Sequence, residues 1–93
     1  MNPPKAVPPK AVQTPDPEYT EKARKRKLEG TTNLLVVVNE KGYPGIVELM
    51  KDLGEGLDVG ALAAVAEWTF KPAMRNGLRV AAMVIVEITF RFD

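Results

Sequence analysis

The stretch that decides the fold is the carboxy-terminal one, Arg79-Val-Ala-Ala-Met-Val-Ile-Val-Glu-Ile-Thr-Phe-Arg-Phe-Asp93. Every second residue from position 80 to position 92 is apolar, and this alternation places those side chains on one face of a β-strand. The intervening positions become polar towards the end, at Glu87, Thr89 and Arg91. One buried face and one solvated face are typical of a strand in an antiparallel sheet.

The same stretch is long, terminal, and free of Gly and Pro. A terminal strand commonly lies at the edge of its sheet, where unpaired N–H and C=O groups can pair with another chain. The sequence therefore predicts that the last strand recruits a partner segment through its backbone.

Composition limits the chain to one small domain. Six of the eight prolines fall within the first eighteen of 93 residues, where the unit Pro-Pro-Lys-Ala-Val occurs twice. Such a segment favours extended polyproline II and acts as a semi-rigid spacer. About seventy-five residues remain to form a core, a size at which a domain is marginally stable. We predict a Pro-rich tether, disordered or extended, over residues 1–15 and a folded domain over residues 16–93.

The remaining apolar patterns predict two more strands and two helices. A helix is expected from about residue 19 or 20 to 28, a strand over 32–38, a return strand over 46–50, and a second helix from 58 to 67 or 68. The first two strands are joined by the predicted hairpin turn Asn39-Glu-Lys-Gly42, in which Gly42 supplies a positive φ. Pro44 is expected at the start of the return strand or on an exposed edge, because it cannot donate to a ladder.

An apolar stripe identifies the face of the second helix that packs on the sheet. Asp58 is the expected N-cap of this helix. The stripe consists of Leu57, Ala61, Ala64, Val65 and Trp68. After a turn at residues 74–77 the final strand follows. The predicted fold class is α+β, a three-stranded antiparallel sheet with two helices packed on one face, in the order α-β-β-α-β.

The residue types present give no recognisable catalytic site. The chain contains neither Cys nor His, which excludes Ser–His–Asp and Cys–His triads and most zinc sites. The acids Asp52, Glu55 and Asp58 lack the spacing of a calcium loop. The loop Gly54-Glu-Gly56 lacks the Lys that completes a phosphate-binding loop. The chain is therefore predicted to be no enzyme and to use no cofactor or metal.

A run of four bases, Arg24 to Lys27, has two interpretations. Basic runs can form nucleic-acid or lipid patches, but this one is flanked by acids and falls at a predicted helix end, which favours a solvated helix terminus. Through Glu29 there are seven bases against four acids, and from Gly30 onward six against eight. The overall net charge of +1 does not by itself suggest a nucleic-acid partner.

The sequence gives two interpretations of its cellular location. No apolar run approaches the roughly twenty residues that span a bilayer, and no signal-peptide pattern follows Met1. The chain is thus either cytoplasmic or a fragment of a longer protein. The abrupt start within a Pro-rich repeat favours the fragment.

Several short motifs occur in the order found in one known family. They are Pro17-Glu-Tyr19, Ala23, Leu28-Glu-Gly30, Asn39-Glu-Lys-Gly42, Leu57-Asp58 with Ala61, Trp68-Thr-Phe-Lys-Pro-Ala73, Asn76-Gly77 and the alternating strand that ends Phe90-Arg-Phe92. From about residue 15 to 92 the chain resembles the C-terminal domain of TonB-type energy transducers. It departs from the family pattern at Thr20, where a second Pro is usual, and at Thr69, where Arg is usual.

The resemblance implies the periplasmic domain of an inner-membrane-anchored protein. Family members couple an ExbB–ExbD complex to active import through outer-membrane receptors, and they grip a receptor segment called the TonB box by adding it as a strand beside the last strand. The residues expected to bind this peptide are Glu18, Val84, Val86, Glu87, Ile88, Thr89, Phe90, Arg91 and Phe92. The apolar members are expected to act through their backbone, with their side chains in the core. The same edge would also permit a homodimer.

Two other functions are compatible with the sequence. A TonB-like module could belong to a membrane sensor or peptidase, which the sequence upstream of Met1 would distinguish. A small nucleic-acid-binding domain could use the basic run, Arg24 to Lys27, and would then bind in a salt-sensitive manner.

Overall fold

The computed structural model describes residues 6–91, which contain two helices and eight strands. In chain order the elements are β1 (Ala6–Val7), β2 (Lys10–Gln13), α1 (Glu21–Lys25), β3 (Gly30–Val38), β4 (Pro44–Leu49), α2 (Leu57–Ala66), β5 (Thr69–Lys71), β6 (Ala73–Arg75), β7 (Leu78–Val80) and β8 (Ala82–Phe90). The predicted order of helix, strand, strand, helix and strand is present as α1, β3, β4, α2 and β8.

A three-stranded antiparallel sheet in the order β4-β3-β8 forms the centre of the domain. Its central strand, β3, buries alternate side chains completely, namely Thr32, Leu34, Val36 and Val38. The β-branched residues suit this pleated, buried position. The ladder with β8 runs in one register from the pair Gly30 and Phe90 to the pair Val38 and Ala82.

Both helices cover the buried face of this sheet. Ala23 of α1 and the α2 residues Leu57, Ala61 and Val65 join the β3 and β8 side chains in one apolar cluster. The predicted stripe of α2 is therefore confirmed at Leu57, Ala61 and Val65, and Ala64 is buried as well. Removing each large side chain of this cluster from water contributes roughly 1.5–3 kcal/mol, so the helix–sheet interface dominates the stability of the domain.

The prediction of a single three-stranded sheet is wrong in its detail, because two further small sheets are present. One has the order β1-β6-β7 and the other pairs β2 with β5. Both use the Pro-rich segment: Ala6 pairs with Arg75, and Lys10 pairs with Lys71. Proline cannot donate to a ladder, so pairing is confined to the residues on either side of Pro8-Pro9. The division of the chain at residue 15 stays a prediction.

The predicted turn before the last strand is the tip of a β-hairpin. Asn76 and Gly77 have φ angles of 50° and 79°, as a two-residue hairpin turn requires, and they join β6 to β7. The long alternating stretch is interrupted at Ala81, so its first residues form β7 and the remainder β8. The even-numbered residues of β8 nevertheless face inward, as predicted.

The helix ends differ from those predicted. α1 is shorter, since Lys27 just beyond it has a φ of 52° and turns the chain away. Asp58 is not the N-cap of α2: Gly56 occupies that position, and Asp58 lies in the first turn, where its charge complements the helix dipole. Trp68 follows α2 and is half-buried against the core.

Gly42 fits the first hairpin turn against strand β5. It is buried, has the predicted positive φ of 88°, and accepts a hydrogen bond of 2.9 Å from the Phe70 N–H. A Cβ atom here would lie 2.0 Å from the Phe70 carbonyl oxygen. The side chain of Asn39 accepts from the N–H groups of Lys41 and Tyr43, each at 2.9 Å, which closes the turn.

Truncating the centre of the core should cost far more stability than truncating the other face of the same strand. We expect Leu34→Ala to lower the free energy of unfolding by about 2–5 kcal/mol, because it leaves a cavity in a close-packed core. The matched control is Leu35→Ala, whose side chain is only half-buried on the opposite face. Urea unfolding measures both, and equal losses would contradict the assignment of the faces.

Two turn glycines separate backbone strain from crowding. Gly77 has a φ of 79° and open space where a Cβ atom would stand, whereas Gly42 is crowded by Phe70. We expect Gly77→Ala to cost about 1–2 kcal/mol, the penalty of a left-handed conformation for an L-residue. Gly42→Ala should cost clearly more, because the Phe70 carbonyl must also move. Equal shifts in thermal unfolding would show that this contact is unimportant.

Candidate functional site

The last strand, β8, lies at an edge of the central sheet. It pairs with β3 on one side, and no other strand of residues 6–91 pairs with it on the other. In an antiparallel pair alternate residues direct both backbone groups to the neighbour, while the residues between them direct both groups away. Alternate residues of β8 therefore present unpaired N–H and C=O groups at the free edge.

The two edges of the central sheet differ in how they are protected. The other edge strand, β4, begins with Pro44 and contains a register shift beside Val47. Prolines and bulges are the usual means by which an edge strand resists pairing. β8 has neither device over its nine residues and keeps one register throughout. Of these two edges, β8 is the one suited to receive another strand.

The side chains of β8 divide between the two faces as the alternation predicts. Val86, Ile88 and Phe90 are buried in the core, and Val84 is half-buried. The outward side chains are exposed, namely Met83, Ile85, Glu87 and Thr89, followed by Arg91 just beyond the strand. The remaining predicted site residue, Phe92, lies outside the described residues.

Glu18 lies one residue away from a contact with the end of β8. The ring of Tyr19 meets that of Phe90 edge-on, with centroids 5.7 Å apart, and the Tyr19 hydroxyl donates to the Leu28 carbonyl. The backbone of Glu18 packs on α2: a Cβ atom at Gly60 would lie only 2.9 Å from the Glu18 backbone carbonyl oxygen. The predicted site residues Glu18 and Phe90 are thus linked through Tyr19.

The basic run is engaged in contacts within the domain. Arg26 forms an ion pair of 3.0 Å with Glu55, and Lys25 one of 3.5 Å with Glu21. The Arg24 guanidinium lies 5.7 Å from the centre of the Tyr19 ring, within cation–π range. These contacts support the interpretation of the run as the end of a solvated helix, not as a nucleic-acid patch.

Two of the acids considered for calcium binding, Asp52 and Glu55, have other partners. Asp52 accepts a hydrogen bond of 2.8 Å from the Gly54 N–H, and Glu55 pairs with Arg26 and, at 3.8 Å, with Lys22. Within residues 6–91 no three acidic side chains are placed to hold a metal ion. In the same part of the chain, neither helix has the length and apolar character needed to cross a membrane.

The two departures from the family pattern lie at contacts between elements. Thr20 is the N-cap of α1: its hydroxyl accepts from the Ala23 N–H at 3.2 Å and donates to the Glu55 carbonyl at 2.8 Å. Thr69 lies in β5, and its hydroxyl is 3.4 Å from the side-chain oxygen of Gln13 in β2. Neither residue belongs to β8, so the departures leave the candidate edge unchanged.

Sequence reasoning missed how the Pro-rich segment reaches the domain. The Trp68 indole N–H donates to the Pro15 carbonyl at 3.1 Å. From there residues 15–18 pass over the small residues of α2, leaving an open groove of about 550 Å³ that Val59 and Ala63 help to line. The Ala and Gly residues of α2 were the available signal, because they permit close approach of a backbone. The small residues by themselves predict that the sheet packs against Gly60. In the structure the backbone at Glu18 packs there instead.

Comparison with known proteins identifies the family. The family model described as Gram-negative bacterial TonB protein C-terminal matches residues 15–92. The chain is 37% identical over 83 residues to protein tonB2 of Pseudomonas aeruginosa, covering 88% of this chain and 31% of that protein. It is 33% identical over 78 residues to protein TonB of Vibrio cholerae serotype O1, covering 83% of this chain and 32% of that protein.

A solved structure has the same fold. The solution NMR structure of the Pseudomonas aeruginosa TonB CTD superposes with a TM-score of 0.67 at 23% identity, over 91% of this chain and 87% of that one. The present chain spans about a third of the length of the curated relatives it matches. The family domain is not enzymatic, which confirms the prediction made from the missing Cys and His. The chain belongs to the TonB C-terminal domain family.

Proposed function

We propose that the free edge of β8 binds the TonB box of outer-membrane receptors by strand addition. The chain would then be the periplasmic domain of a TonB-type energy transducer that drives active import. The observation that carries this proposal is that β8 pairs with β3 alone among the described strands. An extended peptide can complete the ladder on its other side.

Strand addition suits a transducer that serves several receptors. Main-chain hydrogen bonds supply affinity that depends little on the peptide sequence. A ladder loaded along its length must break several of these bonds together, so it resists pulling better than the same bonds loaded one at a time. The unbroken register of β8 with β3 fixes the receiving strand to the centre of the domain.

The predicted site residues divide into two roles in this proposal. Alternate residues of β8 contribute their backbone groups at the free edge. The side chains of Val86, Ile88 and Phe90 lie in the core, whereas Glu87 and Thr89 present exposed side chains to the peptide. Glu18 lies near the end of the peptide through the contact of Tyr19 with Phe90. Val84, Arg91 and Phe92 would extend the pairing segment.

The parts of the whole protein beyond this chain complete the proposed role. An inner-membrane anchor and an ExbB–ExbD complex, engaged through the part of the protein outside this chain, would supply energy. A homodimer formed through the same edge would compete with the peptide, because both occupy the unpaired groups of β8.

A receptor-box peptide should perturb the amides of one strand. We expect a synthetic TonB-box peptide to bind weakly and to shift amide signals of residues 84–92 in an NMR titration, because their N–H groups gain or neighbour new partners. Amides of β4 serve as the internal control at the opposite edge. Shifts confined to the Pro-rich segment would count against the proposal.

Proline substitution tests the edge directly. Consecutive N–H groups of β8 point alternately to β3 and to the free edge, so Val86→Pro and Glu87→Pro each remove a different donor. We expect both variants to lose peptide binding, one by unfolding the sheet and the other with the fold retained. Circular dichroism and the same titration distinguish them. If the variant that stays folded binds the TonB-box peptide with unchanged affinity, pairing along this edge is refuted.

A further inference from the structure

The outward face of the central sheet changes character along β8. At one end Met83 and Ile85 are each 61% exposed, and they lie opposite Val37 and Leu35 of β3. These four side chains form an apolar patch on a face that the helices leave uncovered. Antiparallel sheets usually keep such a face polar, and apolar surface left open in this way marks interaction sites.

At the other end the same face is polar. Glu87 lies opposite Asn33, and Thr89 opposite Thr31, with the two threonine hydroxyl oxygens 3.0 Å apart. Glu87 forms no ion pair within residues 6–91. Its carboxylate is therefore available to a cation on an added strand.

We propose that this divided face selects the sequence of the strand added to β8. The partner is an extended segment of another protein that runs antiparallel to β8. At alternate positions from its amino end it carries a hydrogen-bonding residue beside Thr89, a cationic residue beside Glu87, and two apolar residues beside Ile85 and Met83. Directly opposed side chains in a sheet have Cβ atoms about 4.5–5.5 Å apart, so each pair is in contact. This inference rests on the proposed function and specifies which peptide sequences the free edge of β8 prefers.

The same face disfavours a second copy of the chain as the occupant. Two β8 strands overlapping fully and antiparallel about Val86 would place Met83 beside Thr89 and Ile85 beside Glu87. Every outward pair would then set an apolar side chain against a polar one. Pairs of matched character are the ones that stabilise a sheet, so a heterologous segment fits better.

The test uses two acetylated heptapeptides. The first peptide has the sequence Thr-Ala-Lys-Ala-Val-Ala-Val, so that an antiparallel strand places Lys beside Glu87. The second peptide has Glu in place of Lys. We expect Ile85→Thr to weaken binding of the first peptide about threefold, because one apolar pair is lost. Glu87→Lys should weaken the first peptide and strengthen the second by a similar factor at low salt. Val47→Thr, on the opposite edge strand, is the matched control and should change neither affinity.

The outcomes separate this inference from the proposed function. Affinities are taken from amide shifts of residues 84–90, alongside a natural TonB-box peptide. If the TonB-box peptide binds while the designed peptides do not, or if all variants bind both designed peptides alike, the selective face is disproved and strand addition stands. If no peptide shifts these amides, the proposed function fails and this inference fails with it.

Discussion

The antiparallel ladder between β3 and β8 is the interaction on which the rest of the structure depends. It joins residues 30–38 to residues 82–90 without a shift, so one register decides which side chains enter the core. A slip of one residue would move Leu34, Val36, Val86 and Ile88 relative to each other and break the buried face. The helices can cover this face only because the ladder presents its apolar side chains together.

The ladder also determines where the domain is open to a partner. β3 lies between β4 and β8, and no other strand within residues 6–91 pairs with β8. In this part of the chain β8 therefore has one occupied and one free edge. An unguarded edge of nine residues carries a risk of unwanted pairing. The domain limits that risk at β4, through Pro44 and the register shift, but not at β8. This asymmetry is expected if pairing at β8 is useful to the protein.

The sequence predicted the elements in which buried and exposed side chains alternate with a regular period. Alternation identified β3 and β8, and the helical stripe identified the buried face of α2, because each pattern reports one side of an element against a core. The candidate edge followed from the length of β8 and its lack of proline. The strands β1 and β2 could not be predicted, because two to four exposed residues between prolines carry no periodic signal. Their pairing depends on the tertiary position of β5 and β6.

The start of α2, which the sequence placed at the wrong residue, lies beside contacts that reach the end of β8. Gly56 and not Asp58 is the N-cap of this helix. The loop before it is anchored to α1, because the Glu55 carbonyl accepts from Thr20 and the Glu55 carboxylate pairs with Arg26. Anchoring this loop positions α1, and with it Tyr19 on Phe90. Two of the bases in the exposed run, Arg24 and Arg26, therefore also make contacts within the domain. They help to hold the aromatic contact at the carboxy-terminal end of the strand whose free edge we propose as the peptide-binding edge.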